Sequence, residues 1–506
     1  MLANITLRQK ILVMAAAMSG LLLAALDQTI VSTALPRIVS DLHGLKDLSW
    51  VVTAYLLTST ISVPISGKLS DIYGRKKLFL IAIFIFVAGS ALSGLSRNMA
   101  EMIIFRAFQG LGAGMLFAMT FSVIGDLFAP AERARWQGII AGVFGIASVI
   151  GPLLGGYLTD HVSWRWNFYI NVPVGILAFF MISTFLPHIK IDKARQKIDY
   201  LGAALLAGGL STLLLGLVWG GNNYPWSSAE VIGMFAAAAI LLGSFGWVEH
   251  KHAKDPILPL ELFRNPIFRV SMLIMFLVGL AMFGAILYIP LFAQDVLGRT
   301  ATNSGVILIP MVFTLMIVSL AAGQYISRRG KYKVISVIGT ALVSAGILWL
   351  STLNANSSSR DVIVRMIVIG AGLGISMPIF NLVVQNAFEH AKLGVATGSV
   401  VLSRSIGSTV GVAVMGTVLN NQLSHRLANS GQKITTNQLS SLNAKTITPT
   451  IRSALAGSIT EVFFIAGLIV SVAFVASWFL KEIPLRTSHD NAPANEQPAV
   501  GTATHA

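Results

Sequence analysis

The sequence contains no cysteine and few charged residues: Asp, Glu, Lys and Arg together make up 11% of the 506 residues, against roughly 25% in soluble domains. Acidic residues are fewer than basic ones, with 21 Asp and Glu against 36 Lys and Arg. Without cysteine, disulfide bonds and thiolate chemistry are excluded. A soluble fold of this length would need more charge to cover its surface, so the outer surface is predicted to face lipid.

Long apolar runs fill most of the chain. A helix that crosses the bilayer core needs about 20 mostly apolar residues. Fourteen such runs are predicted, at 12–32, 50–69, 78–95, 102–124, 136–158, 165–186, 199–219, 230–248, 270–292, 305–326, 334–352, 362–385, 395–419 and 459–480. Arg8 and Lys10 precede the first run as in a signal peptide, but Asp27 interrupts it, which favours a retained helix. The predicted fold class is an all-α integral membrane protein.

The basic residues are distributed unequally between the two sides of these spans. The side of the termini holds 23 Lys and Arg and the other side holds 10, of which four lie in the long loop 420–458. The positive-inside rule therefore places both termini in the cytoplasm. A nucleic-acid site would gather basic residues on one face, so the net charge of +15 is interpreted as a topology signal and no nucleic-acid partner is expected.

The chain contains an internal repeat. GKLSDIYGRKK at 67–77 and GQYISRRGKYK at 323–333 share the pattern Gly, six residues, Gly and a basic run. A second pair places Arg106 before Gly110, Gly112 and Gly114, and Arg365 before Gly370, Gly372 and Gly374. The predicted organisation is a six-helix bundle at 1–188, two linker helices at 189–265, a second six-helix bundle at 266–485 with an extracellular loop at 420–458, and a disordered cytoplasmic tail at 486–506.

Four charged residues fall inside predicted spans: Asp27, Arg106, Arg365 and Arg404. Each would cost about 2.5–3.5 kcal/mol on insertion scales, so each is expected to face the protein interior or a water-filled cavity. Asp27 is the only carboxylate predicted deep in a helix. One interpretation makes it a structural partner of a buried arginine. The favoured alternative makes it a proton carrier, because burial raises a carboxyl pKa and a nearby arginine lowers it.

Five motifs carry a resemblance to a known family. They are LDQTIVSTALPRI at 26–38, GKLSDIYGRKK at 67–77, RAFQGLGAG at 106–114, GPLLGG at 151–156 and WRWNFYINVPVG at 164–175. Their order and positions resemble the signature motifs of the major facilitator superfamily, most closely its fourteen-helix drug:proton antiporter branch. The resemblance implies two six-helix bundles with two inserted helices. It also implies a proton-coupled exporter of hydrophobic or cationic drugs.

The resemblance further implies roles for residues at matching positions. Asp27 and Arg106 match the positions associated with proton coupling. The predicted gating set combines the loop between helices two and three, its expected partner Asp126 and the fifth-helix motif: Gly67, Asp71, Gly74, Arg75, Lys76, Asp126, Gly151, Pro152, Gly155 and Gly156. Ala147 stands where the family usually has glycine, and Ser327 stands where the first repeat has Asp71, so a second-half latch should be weaker. Plain helix packing is the alternative for each glycine.

A further set could line an apolar cavity with a few polar anchors, as ligand sites require. Its members are Gln28, Tyr55, Gln109, Met115, Phe283, Tyr288, Phe380, Asn381, Gln385 and Arg404. Helix packing is the alternative for each. No acid is predicted deep in a second-half span, so monovalent cations, zwitterions or neutral amphiphiles should suit the site better than dications. The chain has neither metal-ligand spacing nor a phosphate-binding loop, so no metal or cofactor is expected and the proton gradient supplies the energy.

Two rival functions remain open. A lipid or glycolipid exporter of the same fold would also fit the missing second-half acids, with Arg404 as a headgroup anchor. An intramembrane enzyme or receptor would need a buried His, Ser/Lys or paired-Asp constellation, which the sequence lacks, so an enzyme is not expected. The expected partners are small hydrophobic or cationic substrates, protons and membrane lipids. The protein is expected to be a monomer in the cell membrane of a bacterium.

Overall fold

The computed structural model of the chain is helical. It describes residues 6–42, 48–128, 130–187, 199–221, 224–251, 258–286, 288–299, 301–388, 392–429 and 448–485. The α-helices in these residues are α1 Leu7–Asp41, α2 Leu48–Tyr73, α3 Arg75–Leu95, α4 Met99–Leu127, α5 Pro130–His161, α6 Trp166–Tyr169, α7 Asn171–Phe185, α8 Tyr200–Trp219, α9 Ala229–Lys251, α10 Pro266–Ile286, α11 Tyr288–Leu291, α12 Ala301–Arg329, α13 Lys333–Leu350, α14 Ser359–Ala387, α15 Leu393–Asn429 and α16 Pro449–Trp478.

Several helices extend beyond the apolar runs that predict them, because a helix continues until a cap or breaker ends it. The first one, predicted at 12–32, starts at Leu7, where Thr6 caps it by accepting a hydrogen bond from the backbone of Gln9. The predicted loop 420–458 is wrong at both ends, since residues up to 429 and from 449 are helical. Residues 430–447 and the predicted tail at 486–506 lie outside the described residues.

Thirteen helical segments of the described chain are long and apolar enough to cross a membrane. The predicted span 270–292 is instead α10 and α11, followed by a short π-helix at Phe292–Val296, and residue 287 between α10 and α11 is outside the described residues. The part of α10 whose side chains are described, Pro266–Met282, is apolar but shorter than the thirteen counted segments, so α10 is not among them. An all-helical membrane fold is therefore confirmed, while a count of fourteen spans stays a prediction.

The glycine repeats of α4 and α14 let each helix pack closely against two neighbours. A Cβ atom at Gly110 would overlap the backbone of α2, and one at Gly112 would overlap the backbone of α3. In α14, a Cβ atom at Gly370 would overlap the backbone of α12, and one at Gly372 would overlap the backbone of α13. The repeated spacing in the sequence thus corresponds to a repeated packing arrangement of small residues between helices.

Buried apolar side chains gather separately in the two parts of the chain. We call α1–α7 the first half and α10–α16 the second half. One large cluster is built from first-half helices, with Val401 of α15 as a single outside member. Another extends from Leu262 to Leu480 and belongs to the second half. The exact domain boundaries remain predictions.

The halves meet at one side of the bundle, which we call the basic side: it carries Arg75 at the start of α3 and Arg329 at the end of α12. Here α5 packs on α12 and α14, while α15 packs on α2 and α4. A Cβ at Gly138 would lie 3.0 Å from the carbonyl oxygen of Ser319 in α12. Small residues near the starts of α5 and α15 therefore allow the close approach of the halves.

The linker helix α8 lies against both halves. Its Leu206 and Leu210 form one apolar cluster with Ile61 of α2 and Leu402 of α15. Phe245 of α9 completes this cluster. The two linker helices are thus seated on the α2–α15 seam between the halves.

Candidate functional site

Asp27 of α1 is completely buried and has three hydrogen-bond donors. Its Oδ2 lies 2.6 Å from Nη1 of Arg106. Its Oδ1 accepts hydrogen bonds from Nε2 of Gln109 at 2.8 Å and from Nδ2 of Asn171 at 3.0 Å. Both carboxylate oxygens are therefore satisfied, as a buried charge requires.

Arg106 of α4 is equally enclosed, with 1% of its surface exposed. Its Nε donates to the carbonyl oxygen of Val51 at 3.3 Å, and its Nη1 also donates to Oε1 of Gln109 at 2.8 Å. The guanidinium lies 4.2 Å from the ring centre of Tyr55 and 5.7 Å from that of Phe168, within cation–π range. The arginine thus has carbonyl, amide and aromatic partners besides the carboxylate.

Asn171 is the member of this cluster that the sequence did not single out, although it lies in the WRWNFYINVPVG motif. Helix α6 ends at Tyr169 and α7 follows after Ile170, so Asn171 is the first residue of α7. Its amide also donates to Oγ of Ser90, which donates in turn to the carbonyl of Phe168. Asn171 therefore links Asp27 of α1 to Ser90 of α3 through one side-chain amide.

A second charged cluster lies at the basic side. Arg75 is buried between two acids, with Nη2 2.6 Å from Oδ1 of Asp71 and Nε 2.8 Å from Oδ2 of Asp126. Its Nη1 also contacts Oγ of Ser70. The contact predicted between Arg75 and Asp126 is present.

The rest of the basic run does not enter this cluster. Gly74 has φ +93°, a left-handed conformation that glycine adopts without strain, and it turns the chain between α2 and α3. Lys76 instead donates from Nζ to the carbonyl oxygen of Ser183 in α7. Lys76 and Arg75 therefore have different partners, because consecutive residues of a helix point in different directions, and a gating role for Lys76 stays a prediction.

The Arg75 cluster touches the other half. A Cβ at Gly394, the second residue of α15, would lie 3.1 Å from both carboxylate oxygens of Asp71. A Cβ at Gly67 would lie 3.0 Å from the carbonyl oxygen of Gly394. Asp71 therefore lies against the N-terminal end of α15, where the helix dipole favours a carboxylate.

Arg133 joins the halves beside that cluster, although the sequence analysis counted it only for topology. It is buried and donates to two carbonyls at the end of α4, at 2.7 and 2.8 Å. Its Nη1 also donates to the carbonyl of Gln385 in α14 at 3.4 Å. The side chain of Gln385 accepts from Gln137 of α5 and donates to Thr397 of α15.

The fifth-helix motif is only partly a packing motif. Gly151 is packed so tightly on α1 that a Cβ would overlap Thr29. Thr29 also donates to the carbonyl of Ala147, at 3.0 Å. A Cβ at Gly156, in contrast, would meet nothing within 4 Å, so close helix packing does not explain this glycine. Gly155 is buried.

The predicted substrate residues of the first half occupy different surroundings. Tyr55, 2% exposed, and Gln109, fully buried, belong to the Asp27 cluster. The Tyr55 hydroxyl donates to the carbonyl of Ala24 at 3.2 Å. Met115 belongs to the first-half core, and Gln28 is partly buried.

The second-half members are also divided. Phe380 is fully buried in the second-half core, and its role as a cavity-lining residue stays a prediction. Tyr288 is a member of the same core, whereas Asn381 and Gln385 are buried polar residues of α14. The side chains of Phe283 and Pro152 lie outside the described residues.

Arg365 does not repeat the environment of Arg106, contrary to the expectation of an interior charge. Its Nε donates to the carbonyl of Trp349 at 2.9 Å, and its Nη2 donates to the hydroxyl of Thr352 at 3.0 Å, both at an exposed site. Arg106 precedes the glycine repeat by four residues and Arg365 by five. One residue turns a helix by about 100°, and the equivalent of Arg106 is the fully buried Met366.

Arg404 of α15 has no acidic partner among the described residues, since the ion pairs within 4.0 Å involve other side chains. Its Nη1 lies 3.9 Å from Sδ of Met377 in α14. Gly279 of α10 faces it so closely that a Cβ would lie 3.1 Å from Cγ of Arg404. This cation therefore lies between three second-half helices.

Comparisons with known proteins agree with this architecture. The chain is 39% identical to the multidrug transporter protein MdtP of Bacillus subtilis, covering 92% of this chain and 93% of that protein. It is 35% identical to multidrug resistance protein 3 of the same organism, with 93% and 94% covered. The solved structure of the human organic anion transporter MFSD10 has the same fold, with a TM-score of 0.65 at 16% identity over 92% of this chain and 99% of that one.

The relatives give no support to the lipid-exporter alternative. The sequence profile of the Major Facilitator Superfamily matches residues 17–412. The family and fold predicted from the motifs are thereby confirmed: the chain belongs to the major facilitator superfamily and is a membrane transporter with multidrug efflux proteins among its relatives.

Proposed function

We propose that the protein is a proton-coupled antiporter that exports hydrophobic and cationic compounds by alternating access in a bacterial cytoplasmic membrane. The observation that carries this proposal is the completely buried Asp27, which lies 2.6 Å from Arg106 within membrane-spanning helices. An ionisable pair inside a bilayer is expensive and marks a functional site by default. The names of the relatives support the substrate class.

The surroundings of Arg106 allow the carboxylate to take up and release a proton. Protonation of Asp27 would remove the negative charge that holds the guanidinium. Arg106 would keep the carbonyl of Val51, the amide of Gln109 and the ring of Tyr55 as partners. Because the arginine has these other contacts, it need not lose all its hydrogen bonds when the pair opens. Asp27 can therefore exchange its arginine contact for a proton.

The contacts between the halves support alternating access. We propose that the basic side is cytoplasmic, as the positive-inside rule indicates. The buried Arg75 cluster and the Arg133–Gln385 contact both lie where the halves meet on that side. They would hold the cytoplasmic side closed, and both would have to separate before a substrate could enter from the cytoplasm.

The coupling can be tested in proteoliposomes with an imposed pH gradient and ethidium as a monovalent lipophilic cation. The Asp27→Asn variant should lose gradient-driven ethidium transport by about tenfold or more, because a group that transfers protons typically contributes at least that much. Asp41→Asn provides the control, since Asp41 lies on the same helix with 38% of its side chain exposed. Gradient-driven transport by Asp27→Asn at the wild-type rate would contradict proton coupling through this residue.

A further inference from the structure

We propose that Arg404 and Asn381 form a subsite for the carboxylate of a substrate whose remaining surface is largely apolar. This inference rests on the proposed export function and narrows its substrate class: amphiphiles with a carboxylate, zwitterions included, would be preferred over plain cations. Four observations carry it, namely the depth of Arg404, its partners, the neighbouring Asn381 and the closed contact beside it.

Arg404 lies near the middle of the predicted membrane span. It follows Leu393, the first residue of α15, by 11 residues, which is about 16 Å at the helical rise of about 1.5 Å per residue. Its neighbour Met377 precedes Ala387, the last residue of α14, by 10 residues. The hydrocarbon core is about 30 Å thick, so a guanidinium at this depth is far from both membrane surfaces.

The partners of Arg404, which is partly buried, differ from those of the buried arginines. Arg106 and Arg75 have carboxylates within 2.8 Å, and Arg133 donates to three carbonyl oxygens. Arg404 has the Met377 sulfur at 3.9 Å, and a thioether is a weak acceptor. No carboxylate of the described residues lies within 4.0 Å of it. A partly buried cation at this depth, with no counter-charge among the described residues, is a strong recognition point for an anionic group.

Asn381 supplies an unsatisfied polar group one helical turn from Met377, which Arg404 contacts. It lies four residues from Met377 and therefore on the same face of α14. Its Nδ2 donates to the carbonyl of Met377, but its buried Oδ1 has no hydrogen-bond partner among the described residues. The side chain is 6% exposed. Buried acceptors are normally paired, so a ligand that carries a carboxylate and an N–H group would satisfy Arg404 and Asn381 together.

The next turn of the same α14 face closes the path to the basic side. Gln385 lies four residues beyond Asn381 and is bonded to Gln137 of the other half and to Thr397 of α15. The subsite is therefore one helical turn from a contact that must break when the halves separate. A substrate held there would lie next to the moving interface, as transport requires.

The charge balance favours a carboxylate over a simple cation at this point. Asp27, the acid expected to attract cations, already accepts hydrogen bonds from Arg106, Gln109 and Asn171. Arg404 has no comparable counter-charge in the described residues. A cation approaching Arg404 would be repelled, whereas a zwitterion could present its carboxylate there.

Two dyes that differ by one ester test the inference. Rhodamine 110 carries a free carboxylate and N–H donors, and rhodamine 123 is its methyl ester and a lipophilic cation. Binding to the purified full-length protein would be measured by fluorescence anisotropy, and transport would be measured in proteoliposomes with a pH gradient. Arg404→Gln should weaken rhodamine 110 binding about tenfold or more, as expected for loss of a charged hydrogen bond, and should leave rhodamine 123 binding within about twofold.

Three further variants complete the design. Arg404→Lys keeps the charge without the bidentate geometry and should lose less rhodamine 110 affinity than Arg404→Gln. Asn381→Ala should weaken rhodamine 110 by a smaller factor. Arg365→Gln is the matched control, because that arginine is at an exposed site, and it should alter neither dye. If Arg404→Gln does not fold, the dye selectivity of Arg404→Lys decides the question.

Equal weakening of both dyes by Arg404→Gln, or no change in either, would overturn the subsite. Wild-type protein that transports rhodamine 123 in a pH gradient but does not bind rhodamine 110 would also overturn it and would leave the proposed function intact. Wild-type protein that transports neither dye nor ethidium would instead refute the proposed function, and the subsite would fall with it.

Discussion

Two turns at the basic side each contain a glycine with positive φ but differ in their surroundings. Gly74 has φ +93° in the first half and Gly330 has φ +69° in the second. The first turn is followed by the buried Arg75, which pairs with Asp71 and Asp126. The repeated glycine turns the chain in both halves, whereas the charged residues form an ion-paired cluster in the first turn.

The second turn is held by the end of its own half. The backbone N–H of Tyr332 donates to Oε1 of Glu482 at 2.9 Å, and the Tyr332 hydroxyl donates to the carbonyl of Lys481. The position equivalent to Asp71 is Ser327, which cannot form an ion pair. The first turn thus touches the opposite half at α15, whereas the second is tied to the segment after α16. Of these two turns, only the first carries an ion-paired cluster, and that cluster packs against the other half at α15.

The largest expected effect contrasts the two arginines that precede the glycine repeats. Arg106→Gln leaves Asp27 buried without its counter-charge, which should destabilise the protein by about 3–5 kcal/mol unless the carboxyl is protonated, and should abolish transport. Arg365→Gln should change stability by less than about 1 kcal/mol. Thermal unfolding in detergent and ethidium transport would measure both. Similar losses in the two variants would mean that the halves are equivalent in this respect.

The next effect compares the two basic-side turns. Arg75→Gln leaves two neighbouring buried acids without a cation, so the closed basic side should be weakened by about 3 kcal/mol. Lys331→Gln, in the second turn, should have almost no effect. Labelling a single cysteine introduced at Leu393, which is buried and faces Gly125 of α4, would report opening, because the chain has no other cysteine. Faster labelling in the Arg75→Gln background, and not in the Lys331→Gln background, is expected. Equal labelling rates would remove the proposed role of the Arg75 cluster.

The smallest effect should be the same in both halves. Asn98 caps α4 by accepting from the backbone of Glu101, and Ser358 caps α14 by accepting from that of Asp361. Asn98→Ala and Ser358→Ala should each lower stability by about 1 kcal/mol without altering transport. Thermal unfolding of both variants would check this. A much larger loss of stability in one variant would show that its capping residue does more than cap the start of the helix.

The sequence was sufficient for the fold and for the central pair, because apolar length, buried charge and motif order are local properties. It was insufficient where an outcome depends on helix rotation or on distant contacts. A one-residue shift relative to the glycines moved Arg365 to an exposed site. Asn171 contacts Asp27 at the junction between α6 and α7, and a sequence pattern does not show where this junction lies.

The ends of the helices and the surroundings of Phe380 depend on features that hydropathy does not show. Hydropathy locates the lipid-facing part of a helix, whereas caps such as Thr448 set its actual start. Phe380 is an aromatic residue of the kind that contacts ligands, yet its side chain is completely buried in the second-half core. Arg133 looked like one more topological charge, and its contact with Gln385 depends on how the two halves dock.

The position of α8 makes the two seams between the halves different in their exposure to the bilayer. The seam between α2 and α15 is covered by the linker helices through Leu206, Leu210 and Phe245. The other seam, between α5 and α12, has no comparable cover among the described helices. Lipophilic molecules that diffuse in the membrane plane would therefore meet linker helices at one seam and none at the other. Any entry from the lipid would then be limited to one side of the protein's circumference.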